Sequence, residues 1–200
     1  NTRELGIERH NVGAVVYCSE NIPFKEIVSQ IPEVSECLNG FHTPIPKMFY
    51  STYRVKEWDG KTTDGEQCID LEDETINQDY ADFFGVEVLD GSMLDEKDGK
   101  DKVVINEAAV KVFGWTQPVG KKIAKLGKQY IVKGVIKNIS YNAPIHPVAP
   151  ARFHLPDSRD RAGPIFKVKE GTWNIVSEKI KAEVNKVNPN AELMLSNTVS

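Results

Sequence analysis

Apolar and polar positions alternate with a helix period in two places near the chain ends, each time between strand-length apolar runs. Residues 12–18 (VGAVVYC) form the first such run. Phe24, Ile27, Val28 and Ile31 then recur at i, i+3, i+4 and i+7, which predicts a helix entered through Pro23 and ended at Pro32. Residues 34–38 can begin a second strand, making β-α-β. The order returns at the other end. Residues 165–168 read as a strand and Thr172 as the cap of a helix. Trp173, Val176, Ile180, Val184 and Val187 form an apolar stripe of about four turns. Asn188-Pro189-Asn190 stops that helix, and residues 191–195 form a last strand.

Between these ends the texture is mostly that of strands and turns. Residues 48–58 (MFYSTYRVKEW) are rich in aromatic and β-branched side chains and predict one long strand. Asp59-Gly60 is a hairpin signal, with residues 66–71 as the expected return. Residues 80–84 predict a short helix stopped by Gly85. Residues 86–89 follow as a strand closed by the turn pair Asp90-Gly91. Residues 95–101 are a charged loop and 103–105 an apolar strand. Asn106 is placed to cap a helix over 107–113 that ends at Gly114. Residues 121–125 and 129–139 predict a hairpin about Gly127-Lys128, and 151–155 a short edge strand. The expectation is an α+β chain. Its two ends share one split βαβ, ferredoxin-like layer, over residues 1–79 and 160–200, interrupted by an inserted mixed, mostly β subdomain over 80–159.

Composition narrows the function. The net charge is −4 and no basic stripe carries interleaved aromatics, which argues against nucleic acid as a partner. No apolar run reaches the roughly 18 residues of a membrane span, and no signal peptide is visible. Because residue 1 is Asn, the chain is read as a piece of a longer protein. Cys18, Cys37 and Cys68 lie far apart and form no C-x-x-C pair, which argues against zinc. They read as half-buried thiols, with one disulfide plus an odd thiol as the alternative.

The candidate chemistry is thin. Gly114 to Lys122 (GWTQPVGKK) echoes a phosphate loop, but five residues separate its glycines and Lys122 stands where Ser or Thr is needed. Pro118 also removes a backbone donor. Asp95, Glu96, Asp98 and Asp101 lack the ladder of an EF-hand and read as a solvated acidic run. His10, His42, His146 and His154 have no ligand spacing, and no G-x-S-x-G elbow is present. No catalytic residue, metal ligand or cofactor-binding residue is therefore assigned. Phe83, Phe84, Trp115 and Tyr141 fall at element ends and in loops. They are the candidate interface or subdomain-junction residues, with core packing as the competing reading.

An ordered series of short motifs points further. Phe83-Phe84-Gly85, Leu89-Asp90-Gly91, Val104 to Ala109 (VINEAA), Gly114-Trp115, Pro118 to Lys121 (PVGK), Tyr130 to Asn138 and His146 to Pro150 together resemble the MacB-type periplasmic core domain of ABC transporter permeases. That superfamily includes the lipoprotein-releasing and FtsX-like permeases. The resemblance covers most of residues 80–155 and is looser on the flanks. It implies a porter-type α/β subdomain built from both chain ends and one membrane helix on either side of this segment. It also implies exposure to the periplasm at the bacterial inner membrane, and no catalysis here. Partners would be an ABC ATPase subunit reached through the full permease, a second permease copy in a homodimer or heterodimer, and a periplasmic adaptor. A ligand-sensing or solute-binding module is the alternative. An enzyme has the least support.

Overall fold

The computed structural model describes residues 10–38, 51–140, 147–157 and 163–197. They form two compact units. Residues 51–156 make one, and residues 10–38 together with 157–197 make the other. The expected boundary near residue 79 is thus displaced to before residue 51, because the strand after it pairs within the larger unit.

The terminal unit contains β1 (Val12–Cys18), α1 (Phe24–Ser29), β2 (Val34–Leu38), β12 (Ile165–Val168), α4 (Trp173–Val187) and β13 (Leu193–Asn197). Its sheet runs β13-β1-β12-β2, with every neighbouring pair antiparallel. The two helical stripes close one core. Val176, Ile180 and Val184 of α4 are buried with Phe24 and Val28 of α1 and Phe166 and Val168 of β12. Val187, expected on that stripe, is exposed in the last turn. Thr172 does not cap α4 as expected. Its hydroxyl donates to the Lys169 carbonyl at 2.7 Å instead. Gly13 is required by packing, since a Cβ there would enter the rings of Trp173 and Phe166.

The larger unit contains β3 (Thr52–Val55), β4 (Glu57–Trp58), β5 (Lys61–Thr62), β6 (Ile69–Thr75), α2 (Gln78–Phe84), β7 (Val88–Gly91), β8 (Lys102–Asn106), α3 (Glu107–Phe113), β9 (Lys122–Lys125), β10 (Lys128–Ile136) and β11 (Ala151–His154). The sheet runs β3-β6-β11-β8-β10-β9-β4-β5, and β7 lies along the remaining half of β10. β6–β11 and β8–β10 are parallel, and the other pairs are antiparallel. Lys56 alone separates β3 from β4, yet these strands stand far apart along the pairing path, so the sheet curls back on itself. The Lys56 N–H donates to the Ala124 carbonyl of β9 at 2.9 Å at the seam. This curl is why the single strand expected over 48–58 is broken within its described part.

Three further expectations change. The hairpin at Asp59-Gly60 returns through Lys61–Thr62, while residues 65–67 form a short 3-10 turn and β6 pairs with β3. The β9–β10 turn is Leu126-Gly127, both at positive φ, one residue earlier than expected. β11 is an interior strand between β6 and β8, not an edge.

Asp90 and Gly91, expected to form a turn, end β7 and pair with β10. Gly91 has φ +69° and lies opposite Gly134. A Cβ on Gly134 would press into the Ser92 carbonyl, which is backbone and cannot step aside. Gly134→Ala is therefore expected to cost about 1–3 kcal/mol by overpacking, read as a lower urea midpoint for this unit with the slope unchanged.

Candidate functional site

Two of the motif runs, Val104 to Ala109 and Tyr130 to Asn138, lie on β8, α3 and β10 and the turn after it. Asn106 is the hub and is 1% exposed. Its Oδ1 accepts from the Ala109 N–H at 3.0 Å, capping α3, and from the Ala151 N–H at 2.9 Å. Its Nδ2 donates to the Ala149 carbonyl at 2.8 Å. One side chain thus starts the helix and holds the chain entering β11. At the next residues, Glu107 accepts from the Asn138 N–H at 3.0 Å, and Asn138 Oδ1 accepts from the Ala108 N–H at 3.0 Å. These reciprocal bonds fix the end of β10 against the first turn of α3.

The Gly-Trp and Pro-Val-Gly-Lys motifs form a latch. Gly114, at φ +68°, ends α3 and turns Trp115 back over Phe113, with ring centroids 4.1 Å apart and planes nearly parallel. The indole N–H donates to Asp59, and Lys121 reaches the other oxygen of that carboxylate at 2.7 Å. Hydrogen bonds from Lys121 and then Trp115 hold the Asp59 carboxyl below its ordinary pKa. Gly120 N–H donates to the Val132 carbonyl at 2.8 Å, so the loop is stitched along β10. The Lys121 N–H turns back to the Pro118 carbonyl at 3.1 Å.

A second cluster escaped the sequence reading. Arg152, 5% exposed, grips Asp73 with two bonds, Nε to Oδ1 at 2.8 Å and Nη2 to Oδ2 at 2.9 Å. Its guanidinium carbon lies 3.4 Å from the ring centre of Tyr53 and 4.5 Å from that of Tyr130. Burial pushes the Tyr53 phenol up to about 12 despite the arginine. Burial also pushes Tyr130 up, but Lys128 and Arg152 outweigh it and leave that phenol lowered. His154 stands 3.5 Å from Asp73 and its Nδ1 lies 2.9 Å from the Leu155 carbonyl. The only sequence signal was an arginine alternating with apolar positions in Ala-Arg-Phe-His. Its partner lies 79 residues away, beyond any local pattern.

The sites expected from sequence are distributed otherwise. Phe83 and Phe84 are buried in α2, with ring centroids 4.7 Å apart, so core packing describes them. Trp115 is also buried, at 8% exposure, within the latch. Tyr141, His42 and His146 lie outside the described residues. Cys18, Cys37 and Cys68 are free and half-buried, and burial raises the Cys37 thiol. The acidic loop is less solvated than expected, because Asp98 turns inward and pairs with Lys133, whose pKa that bond raises. Among the described residues no group of three His, Cys, Asp or Glu is placed to hold a metal ion. Among them, too, no helix is long and apolar enough to cross a membrane. A cleft of about 220 Å³ opens beside the β4–β5 hairpin, between Trp58, Lys61, Lys122 and Gln129. None of these clusters aligns a nucleophile with a base.

No family model matches the chain, and no curated protein matches it in sequence. Solved structures do. A Porphyromonas gingivalis domain described as part of a permease aligns with a TM-score of 0.60 at 14% identity, over 96% of this chain and 93% of its own. The periplasmic region of MacB from Actinobacillus actinomycetemcomitans aligns at 0.57 and 15%, over 98% and 92%. The extracellular domain of the ABC-type transporter YknZ from Gram-positive bacteria aligns at 0.54 and 16%, over 92% and 100%. With the two units and the motif scaffold described above, these alignments show that the chain has the mixed α+β fold of the periplasmic and extracellular domains of MacB-like ABC-type permeases.

Proposed function

We propose that this chain is the extracytoplasmic domain of an ABC transporter permease and works by transmitting movement. ATP is hydrolysed on a separate cytoplasmic subunit. Membrane helices flanking this segment carry the resulting displacement outward, to expel a substrate or signal to a periplasmic partner. The permease acts as a homodimer or heterodimer in the bacterial inner membrane, with an adaptor as a further partner, and this domain needs no cofactor. In this reading the four-stranded sheet is the porter-type, split βαβ subdomain, and residues 51–156 are the inserted one.

One observation carries the proposal. The first and last strands are antiparallel neighbours, with Gly13 opposite Asn197, so the chain enters and leaves the terminal sheet at the same end. Two anchors joined to adjacent strands can move that unit as a rigid body. The fold of the permease domains supports the same reading. A ligand-sensing or solute-binding module is the alternative; the cleft beside the β4–β5 hairpin, about 220 Å³, lies below the usual small-molecule range.

The test uses the full-length permease with Leu126→Cys, a position 80% exposed in the β9–β10 turn. Inter-domain cross-linking by bifunctional reagents of graded length is expected to shift on adding ATP and trapping the ATPase. An unchanged cross-link pattern across a set of such exposed positions would remove the coupling.

A further inference from the structure

The two edges of the terminal sheet are held differently. β2 buries Leu38, and its Glu36 pairs with Lys167 of β12 at 3.0 Å. Glu33, just before it, pairs with Lys179 of α4 at 2.6 Å. β13, on the opposite edge, packs Leu193 and Leu195 against the core but has no fully buried residue, whereas Ile165, Phe166 and Val168 of β12 are all buried. Met194 is 57% exposed, and so is half of Tyr17 opposite it. The β1–β13 ladder is interrupted by a register shift at Val15/Tyr17, in mid-strand, whereas the shift in the β12–β2 ladder falls at its last pair, Val168 with Val34. At its open end Asn197 faces Gly13, which has no side chain to offer. The Ser196 hydroxyl is buried and makes no hydrogen bond among the described residues, a cost that detachment relieves.

The other end of β13 is fastened. Ser19 N–H donates to the Glu192 carbonyl at 2.9 Å, and the Glu192 N–H returns to the Ser19 hydroxyl at 2.9 Å. Asn188 donates to Glu20 at 2.7 Å. α4 itself is held by Val176, Ile180 and Val184.

We propose that β13 is a releasable strand, which unzips from β1 starting at Asn197 and stops at the Ser19–Glu192 clasp, while α4 and the other three strands stay folded. An antiparallel pair pulled apart at one end opens one bond at a time, so separation of the chain ends acts on this ladder in its weakest direction. Joint displacement of the two ends leaves it closed. Release pays out five residues, about 16 Å of chain. The strand therefore caps the separation force that the terminal unit bears. That use rests on the transmission reading, whereas the release itself does not.

Native-state hydrogen exchange on this chain tests it. The hydrogen-bonded amides of 193–197 are expected to exchange about 100-fold faster than those of 165–168 and of Ile180. Ser196→Ala removes the unpaired hydroxyl and is expected to slow the β13 amides about tenfold, with β12 and α4 unchanged. Equal exchange in β13 and β12, joint exchange of β13 with α4, or an unaltered β13 rate in S196A each overturns the proposal. Those outcomes leave the ATP-dependent cross-link unaffected, so the two readings fail separately.

Discussion

Asn106→Ala is expected to lower the stability of the larger unit by about 3–5 kcal/mol. The side chain makes three bonds at 2.8–3.0 Å from a site 1% exposed. Truncation strands the Ala109 and Ala151 N–H groups and the Ala149 carbonyl together, and no water of comparable geometry replaces them in a buried position. N106D separates the two halves of this role. It keeps an oxygen for both N–H groups but turns a second acceptor onto the Ala149 carbonyl. Its loss should therefore be partial and pH-dependent. The folded-state pKa of that carboxyl is raised, because only the protonated form donates to Ala149, so its contribution is present at low pH and is lost as pH rises through the raised value. Urea titrations of N106A and N106D at acidic and neutral pH measure both effects. A wild-type midpoint in N106A would show that the hub is dispensable.

Arg152→Ala is expected to cost about 3–5 kcal/mol, for a different reason. Asp73, with its side chain 18% exposed, would keep only His154, 3.5 Å away, beside its carboxylate, and Tyr53 and Tyr130 would lose the cation over their faces. Burying the pair was itself costly, so removing both charges is milder than removing one. The double change Arg152→Met with Asp73→Leu should recover most of the loss. R152K keeps the charge without the planar fork and should fall between them. A double-mutant cycle by urea denaturation checks the ordering. Equal losses in R152A and in the double variant would mean that the fork contributes through packing alone. The cluster fixes β11 to β6, the parallel pairing that brings residue 152 beside residue 73.

These two residues differ in how readable they were. Asn106 was recognisable as a cap because its partner is three residues away and the apolar run and Gly114 flank the helix it starts. Its bonds to Ala149 and Ala151 were not, since they depend on β11 entering between β6 and β8. Arg152 gave almost no signal, because its meaning comes wholly from strands distant in sequence. Trp115 shows the same divide. The Gly-Trp motif marked a helix end, but the aromatic looked like an anchor for a surface and is spent inside, on Phe113 and Asp59.

Local chemistry was enough to place the helix cap at Asn106, the stripe of Val176, Ile180 and Val184, and the strand runs at 12–18 and 165–168. Each of those rests on period or capping within a few residues, where propensity and burial agree. The partner of each middle strand was a different matter. An apolar segment such as 151–154 carries the same pattern at an edge or in the interior, and 52–58 reads as one strand whether or not a sheet curls at Lys56. Which backbone groups meet is settled by long-range hydrogen bonding and closure of the sheet. Those terms compare whole arrangements of the chain, and no window of neighbouring residues contains them.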